Sequence, residues 1–224
     1  MEKNTQIVKR ENEFLEKIDK RPVLLVNDIA KLVNASALIK PQYKSVKIGD
    51  QIWMTENLNI DRYRNGDLIQ EVRDPKEWSN LKTGACCYCN NDPENGKKYG
   101  KLYNWYAVTD PRGLAPEGWH IPTKEEFETL LLGNDGNALR KIGQGTGDGI
   151  GTNTSGFSAL IAGERRADGD FNTTKYSSNF WSSTESNDFP ELEAYELYLK
   201  DIGYGFQLTQ FYKEFGYSIR CLKN

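Results

Sequence analysis

A chain of 224 residues can bury a sizeable core, either as one large domain or as one domain with a short appendage. Its 29 Lys and Arg against 32 Asp and Glu give a formal net charge of -3. This lacks the basic excess that binding a phosphate backbone relies on, so no nucleic-acid partner is expected. No stretch approaches the roughly 20 consecutive apolar residues that cross a bilayer, so no membrane span is expected either.

In chain order, Ile7, Glu11, Phe14, Leu15 and Ile18 fall at helical spacing between Lys and Glu residues, which predicts a short amphipathic helix over residues 5–18. The opening Met1-Glu2-Lys3-Asn4-Thr5 carries no apolar core of a secretory signal and leaves the compartment open. After Arg21-Pro22, Asn27 or Asp28 can cap a second helix that turns Ile29, Leu32 and Val33 inward and stops before Lys40-Pro41. Residues 1–42 therefore read as a helical segment for attachment to other subunits, giving a homo-oligomer or part of a larger assembly, ahead of a domain over residues 43–224.

At Ser45 the pattern changes. Val46, Ile48, Ile52 and Met54 flank Gly49-Asp50, a pair suited to a hairpin turn. The run from Asn90 to Gly96 reads as a surface loop, and so does the glycine-rich run from Gly143 to Gly151. Between them, Thr123 and Glu126 form the two halves of a capping box ahead of Phe127, Leu130 and Leu131. The end of the chain holds three strand-like runs, Ala194 to Lys200, Tyr204 to Tyr212 and Tyr217 to Leu222, expected to form an antiparallel meander. Alternation places Tyr195, Leu197, Leu199, Phe206, Leu208, Ile219 and Cys221 inward.

Several residues invite chemistry. His120, the single histidine, would have to serve any base-assisted nucleophile, yet Gly-Trp-His-Ile-Pro reads as a structural turn and no Gly-x-Ser-x-Gly elbow accompanies it. Cys86-x-x-Cys89 has the spacing of half a zinc site, without the second close pair that would complete one. Cys86, Cys87 and Cys89 crowd one segment and Cys221 stands apart, which is no disulfide framework; reduced, partly buried thiols are expected. The glycine run lacks Gly-x-Gly-x-x-Gly and any Gly-Lys-Ser or Gly-Lys-Thr. Asn134-Asp135-Gly136-Asn137 offers oxygens to calcium but no EF-hand spacing, so no cofactor is expected.

Six segments occur in a recognisable order: Ile48-Gly49-Asp50-Gln51-Ile52-Trp53-Met54-Thr55-Glu56-Asn57-Leu58, Tyr99-Gly100-Lys101-Leu102-Tyr103-Asn104-Trp105-Tyr106-Ala107, Gly118-Trp119-His120-Ile121-Pro122-Thr123, Ser155-Gly156-Phe157-Ser158-Ala159-Leu160, Phe180-Trp181-Ser182-Ser183-Thr184-Glu185 and Gly216-Tyr217-Ser218-Ile219-Arg220-Cys221. In these the chain resembles the Fibrobacter succinogenes major paralogous domain. The resemblance implies an α+β, C-type-lectin-like fold, also similar to formylglycine-generating enzymes, with a short antiparallel sheet, two flanking helices and long loops. It implies no reaction, and the cysteine pair with which formylglycine-generating enzymes bind copper is not matched, since the C-terminal half holds Cys221 alone.

Relatives often carry a cysteine just before Pro-x-Gly-Trp-His, where this chain has Gly113-Leu114-Ala115. If that pair is a disulfide in secreted relatives, its loss fits assembly in a reducing cytoplasm, with a virion or cell surface as the place of action. Trp53, Trp105, Trp119 and Trp181 lie in the matching segments and are expected in the core, which leaves Trp78 as the candidate for exposure.

Tyrosines and small polar groups concentrate between residues 186 and 212, where Asn187, Asp188, Tyr198, Tyr204, Gln207, Thr209 and Tyr212 are expected to share a ligand-binding surface. The ordinary alternative is a solvated strand face. The function that follows is non-catalytic recognition or adhesion, with a surface glycan or protein as ligand, within a virion, tail fibre or cell-surface assembly. The other readings are a purely structural virion or fibre subunit and a divergent enzyme of the formylglycine-generating type.

Overall fold

The computed structural model describes residues 43–172 and 177–224, which belong to the unit Tyr43–Asn224. The two helices expected before Lys40, and the attachment role given to residues 1–42, lie outside the described residues.

Strands β1 (Ser45–Ile48) and β2 (Gln51–Met54) form the hairpin expected from the sequence, joined by Gly49-Asp50 with Gly49 at φ +59°. Glycine suits that turn because it carries no Cβ to oppose a positive φ. Strand β3 (Gln70–Glu71) leads to helix α1 (Pro75–Ser79), where Asp74 caps the Glu77 amide and Pro75 occupies the first turn. Strand β4 (Ala85–Tyr88) carries Cys86 and Cys87, and helix α2 (Pro93–Tyr99) follows, capped by Asp92. Then come strand β5 (Lys101–Tyr103) and helix α3 (Trp105–Val108), capped by Asn104.

Strand β6 (Trp119–His120) precedes helix α4 (Lys124–Leu131), which has the full Thr123–Glu126 capping box. Helix α5 (Gly136–Leu139) is capped by Asp135. Strands β7 (Glu164–Arg165) and β8 (Phe171–Asn172) make a small hairpin. They are followed by β9 (Ser177–Glu185), β10 (Glu193–Lys200), β11 (Phe206–Tyr212) and β12 (Leu222–Lys223).

The result is α+β with strands dominant. In place of one short sheet and two flanking helices, the described residues form four small sheets, ordered β1-β2-β12-β6, β11-β10-β9, β3-β4-β5 and β7-β8. Among them only α4 reaches eight residues; the other α-helices stop after two turns or fewer. The sequence accounts for this. Asp-Pro pairs start α1 and α2, and Asn104, Thr123 and Asp135 cap the others, so burial and capping hold these short helices rather than length.

The terminal meander is corrected in its third member. β10 and β11 pair as expected, with Leu197 opposite Leu208, but the third strand of that sheet is β9. The segment from Tyr217 to Ile219 is bonded on one side to Tyr103 of β5 and on the other to Asn179 and Trp181 of β9. Tyr217, Ser218, Ile219, Arg220 and Cys221 are all buried, and a segment buried on both faces belongs between neighbours rather than at a sheet edge. The chain then closes on its beginning, because Leu222 of β12 pairs with Trp53 of β2 and with His120 of β6.

Trp53 stacks on Phe127 at 5.5 Å and meets Phe157 edge-on. Phe180, Leu197 and Leu199 complete this core between α4 and the β9–β11 sheet. A second cluster gathers Met54, Trp105, Trp119, Trp181, Tyr217 and Ile219. Trp78, the one tryptophan expected at the surface, is instead buried with Val72, Cys87 and Leu102. Its ring lies 4.4 Å from the Arg165 guanidinium and its indole N–H donates to the Glu214 carbonyl.

Candidate functional site

The β9–β11 sheet and the turns around it contain all seven residues expected to bind, yet they do not share one face. Directly opposed residues in an antiparallel pair project the same way. Tyr198 sits opposite Gln207 and Thr209 opposite Glu196, so these form one polar face. Tyr212 pairs with Glu193 and belongs to the other face, beside Tyr195 and Gln210. Asn187 and Asp188 reach that second group, Asn187 donating to the Tyr195 hydroxyl at 3.3 Å and Asp188 accepting from the Gln210 amide at 3.2 Å. Tyr204 stands apart in the β10–β11 turn, 61 % exposed.

Tyr204 borders a cleft of about 500 Å³ that the sequence did not announce as a unit. Its other walls are the turn after α4 and the loop before β7, contributing Asn134, Asp135, Thr152 and Thr154. The backbone fixes this meeting, since the Gly136 amide donates to the Tyr204 carbonyl at 2.9 Å. Gly136 is required there because a Cβ would lie 2.9 Å from the Gly205 carbonyl oxygen and 3.0 Å from that of Tyr204. Each polar side chain is half engaged. Asn134 donates to the Leu130 carbonyl and Asp135 Oδ1 caps the Ala138 amide, which leaves Asn134 Oδ1 and Asp135 Oδ2 for a ligand. Asn137 is committed elsewhere, holding the Asp148 carbonyl at 2.7 Å.

The polar sheet face hides a residue that alternation sent to solvent. Glu196 is 1 % exposed, and its Oε2 accepts from Asn179 Nδ2 at 2.8 Å. Burial pushes its carboxyl up to about 8, and the nearby Glu164 adds to the effect. Glu164 is itself raised by burial, and the buried Tyr217 hydroxyl has no hydrogen-bond partner among the described residues. Glu196 was legible only as one more charged residue in a strand, because alternation describes a sheet with one dry face.

The residues weighed for chemistry are occupied structurally. His120 bonds Asn224 Oδ1 through Nδ1 at 2.8 Å and Glu126 Oε1 through Nε2 at 2.9 Å, so it ties β6 to the capping box. All four cysteines are free and buried. Burial raises each thiol, Cys86 to about 11 and both Cys87 and Cys221 to about 12. Among the described residues no group of three or more His, Cys, Asp or Glu is placed to hold a metal ion. Nor is any helix there long and apolar enough to cross a membrane.

The family model described as the Fibrobacter succinogenes major domain matches residues 46–223. No curated protein and no solved structure matches the chain.

Proposed function

Because the chain belongs to the Fibrobacter succinogenes major domain family, we propose that the unit Tyr43–Asn224 is a C-type-lectin-like, non-catalytic recognition module that binds a glycan in the cleft beside Tyr204. The observation that carries this is the make-up of the cleft. An exposed tyrosine ring faces an amide, a carboxylate and two threonine hydroxyls across about 500 Å³. Sugars present an apolar ring face and a fringe of hydroxyls, which calls for one aromatic platform and a few fixed polar groups. The buried, raised thiols and the doubly bonded His120 supply no activated nucleophile, which weighs against the formylglycine-generating type of chemistry.

A glycan array with the full chain tests this, repeated with Tyr204→Ala. Saturable binding that Tyr204→Ala abolishes is expected; binding indifferent to Tyr204, or none, would sink the proposal.

A second reading, the structural subunit, draws on a different surface. Phe189 is 58 % exposed, Leu192 51 % and Tyr212 49 %, and backbone bonds from Leu192 to Phe189 and from Lys213 to Leu192 bring them to the same end of β10 and β11. Exposed apolar groups gathered in one place suit contact with another subunit of a virion, fibre or cell-surface assembly. Light-scattering mass of the full chain with and without Leu192→Asp separates the two roles. A mass drop in that variant supports the subunit reading, and an unchanged monomer removes it.

A further inference from the structure

A second cleft, of about 310 Å³, lies between the end of α2 and the glycine-rich run, lined by Lys98, Tyr99, Gly143, Gln144, Gly145 and Thr146, with Ile161 at its back. The glycine run was expected to be a plain surface loop, yet it is anchored. The Thr146 amide donates to the Asp201 carbonyl at 2.9 Å and the Gly151 amide to the Gln144 carbonyl at 2.8 Å. Gln144 is oriented as well, because its Oε1 accepts the Ile161 amide at 3.0 Å. That bond turns the amide nitrogen of Gln144 into the group left for a ligand.

Several donors around this cleft are uncommitted. Among the described residues, Gln144 Nε2, the Tyr99 hydroxyl and the backbone N–H groups of Gly143 and Gly145 make no hydrogen bond. Lys98 pairs with no carboxylate among the described residues; its ammonium lies 4.7 Å from the Tyr99 ring. The neighbouring Lys97 is different, being bound to both oxygens of Glu94. Asp201, which anchors the run, is buried and accepts from the Thr146 hydroxyl at 3.4 Å. A fixed amide donor, a hydroxyl, an uncommitted ammonium and two glycine amides, with no Asp or Glu among the lining residues, form a lining complementary to negative charge.

We infer that this cleft is an anion subsite, taking the carboxylate or sulfate group of an acidic sugar residue. The inference rests on the glycan-recognition reading and deepens it. The Tyr204 cleft would take a neutral portion of the ligand, and the Lys98 cleft would select for charge.

The test is calorimetric titration of the full chain with three oligosaccharide series: neutral galactan, oligogalacturonate carrying carboxylates, and sulfated galactan. Each is run with Lys98→Gln and Gln144→Ala, and with Lys97→Gln as a control for general surface charge. Binding of one anionic series is expected to exceed that of the neutral series, to weaken as salt rises, and to fall about tenfold in Lys98→Gln but not in Lys97→Gln. Which anionic series is preferred assigns carboxylate or sulfate. Equal losses in Lys97→Gln and Lys98→Gln, or no anionic binding at all, would overturn the inference. Neutral binding that depends on Tyr204 without any preference for charge overturns it too, and leaves the proposed function standing.

Discussion

Arg220 donates to the side-chain oxygen of Asn57 from two nitrogens, Nε at 3.1 Å and Nη2 at 2.6 Å, across 163 positions of sequence. The same guanidinium reaches the Met54 carbonyl at 3.1 Å and the Phe157 carbonyl, and it lies against the rings of Phe157 and Phe180. Burial lowers its pKa, and carbonyls and an amide, not a carboxylate, hold it. It joins the β1–β2 hairpin, the loop around Phe157 and the C-terminal segment, which is a crosslinking role without a covalent bond.

Arg220→Met should therefore cost stability although it keeps an apolar stem. Three acceptors lose their donors in a dry site, a loss on the order of 3 kcal/mol. Arg220→Lys should recover little, because one ammonium cannot present the planar fork that meets Asn57 and two carbonyls together. Urea unfolding of the two variants checks this, and a loss below about 1 kcal/mol in Arg220→Met would show that the network contributes little.

The four thiols should be silent in the folded protein. Each is buried and raised, so the thiolate fraction near pH 8 is small and reagents lack access. An aromatic disulfide reagent at pH 8 should titrate none of them within minutes, and all four after denaturation. A fast-reacting thiol in the native state would point to an open site near Cys86 or Cys89 and revive a redox or metal role.

The sequence disclosed the parts that local rules govern. Gly49-Asp50 between alternating strands gave the first hairpin, and Thr123 with Glu126 gave α4, because turn and cap chemistry act over three or four residues. What it hid depends on contacts between distant segments. Trp78 lies outside the six family-matching segments, and its burial requires Arg165 and Glu214 from elsewhere in the chain. Glu196 was hidden because alternation cannot say that both faces of a strand are covered. The Tyr204 cleft was half legible. Tyr204 and Asn134-Asp135 were each singled out, but nothing local says that Gly136 lets their backbones meet.

The glycine run can be tested at one atom. A Cβ on Gly149 would fall 2.1 Å from the Asp201 carbonyl oxygen, whereas one on Gly205 would meet only the Lys200 side chain at 3.6 Å. Gly149→Ala must displace backbone and should lower stability by roughly 1–3 kcal/mol, while Gly205→Ala should change it little. Thermal unfolding of both variants decides whether the run is a packed wall of the Lys98 cleft; equal melting temperatures would mean that it is not.

Glu196 makes stability depend on pH in a stated direction. Its carboxyl titrates at about 8 in the folded protein, against the ordinary value of 4.5. Between those values the folded state holds a proton that the unfolded state has released. Stability therefore declines as pH rises from about 4.5 through 8, and the full penalty is present above 8. Glu196→Gln keeps an acceptor for Asn179 Nδ2 and carries no charge to bury. It should match the parent near pH 4 and exceed it increasingly toward pH 9, by a few kcal/mol at an order-of-magnitude level. Urea midpoints from pH 4 to 9 measure the difference. A constant gap between the two proteins across that range would mean that Glu196 keeps its charge when folded, and that the polar face of β9, β10 and β11 is wetter than its burial implies.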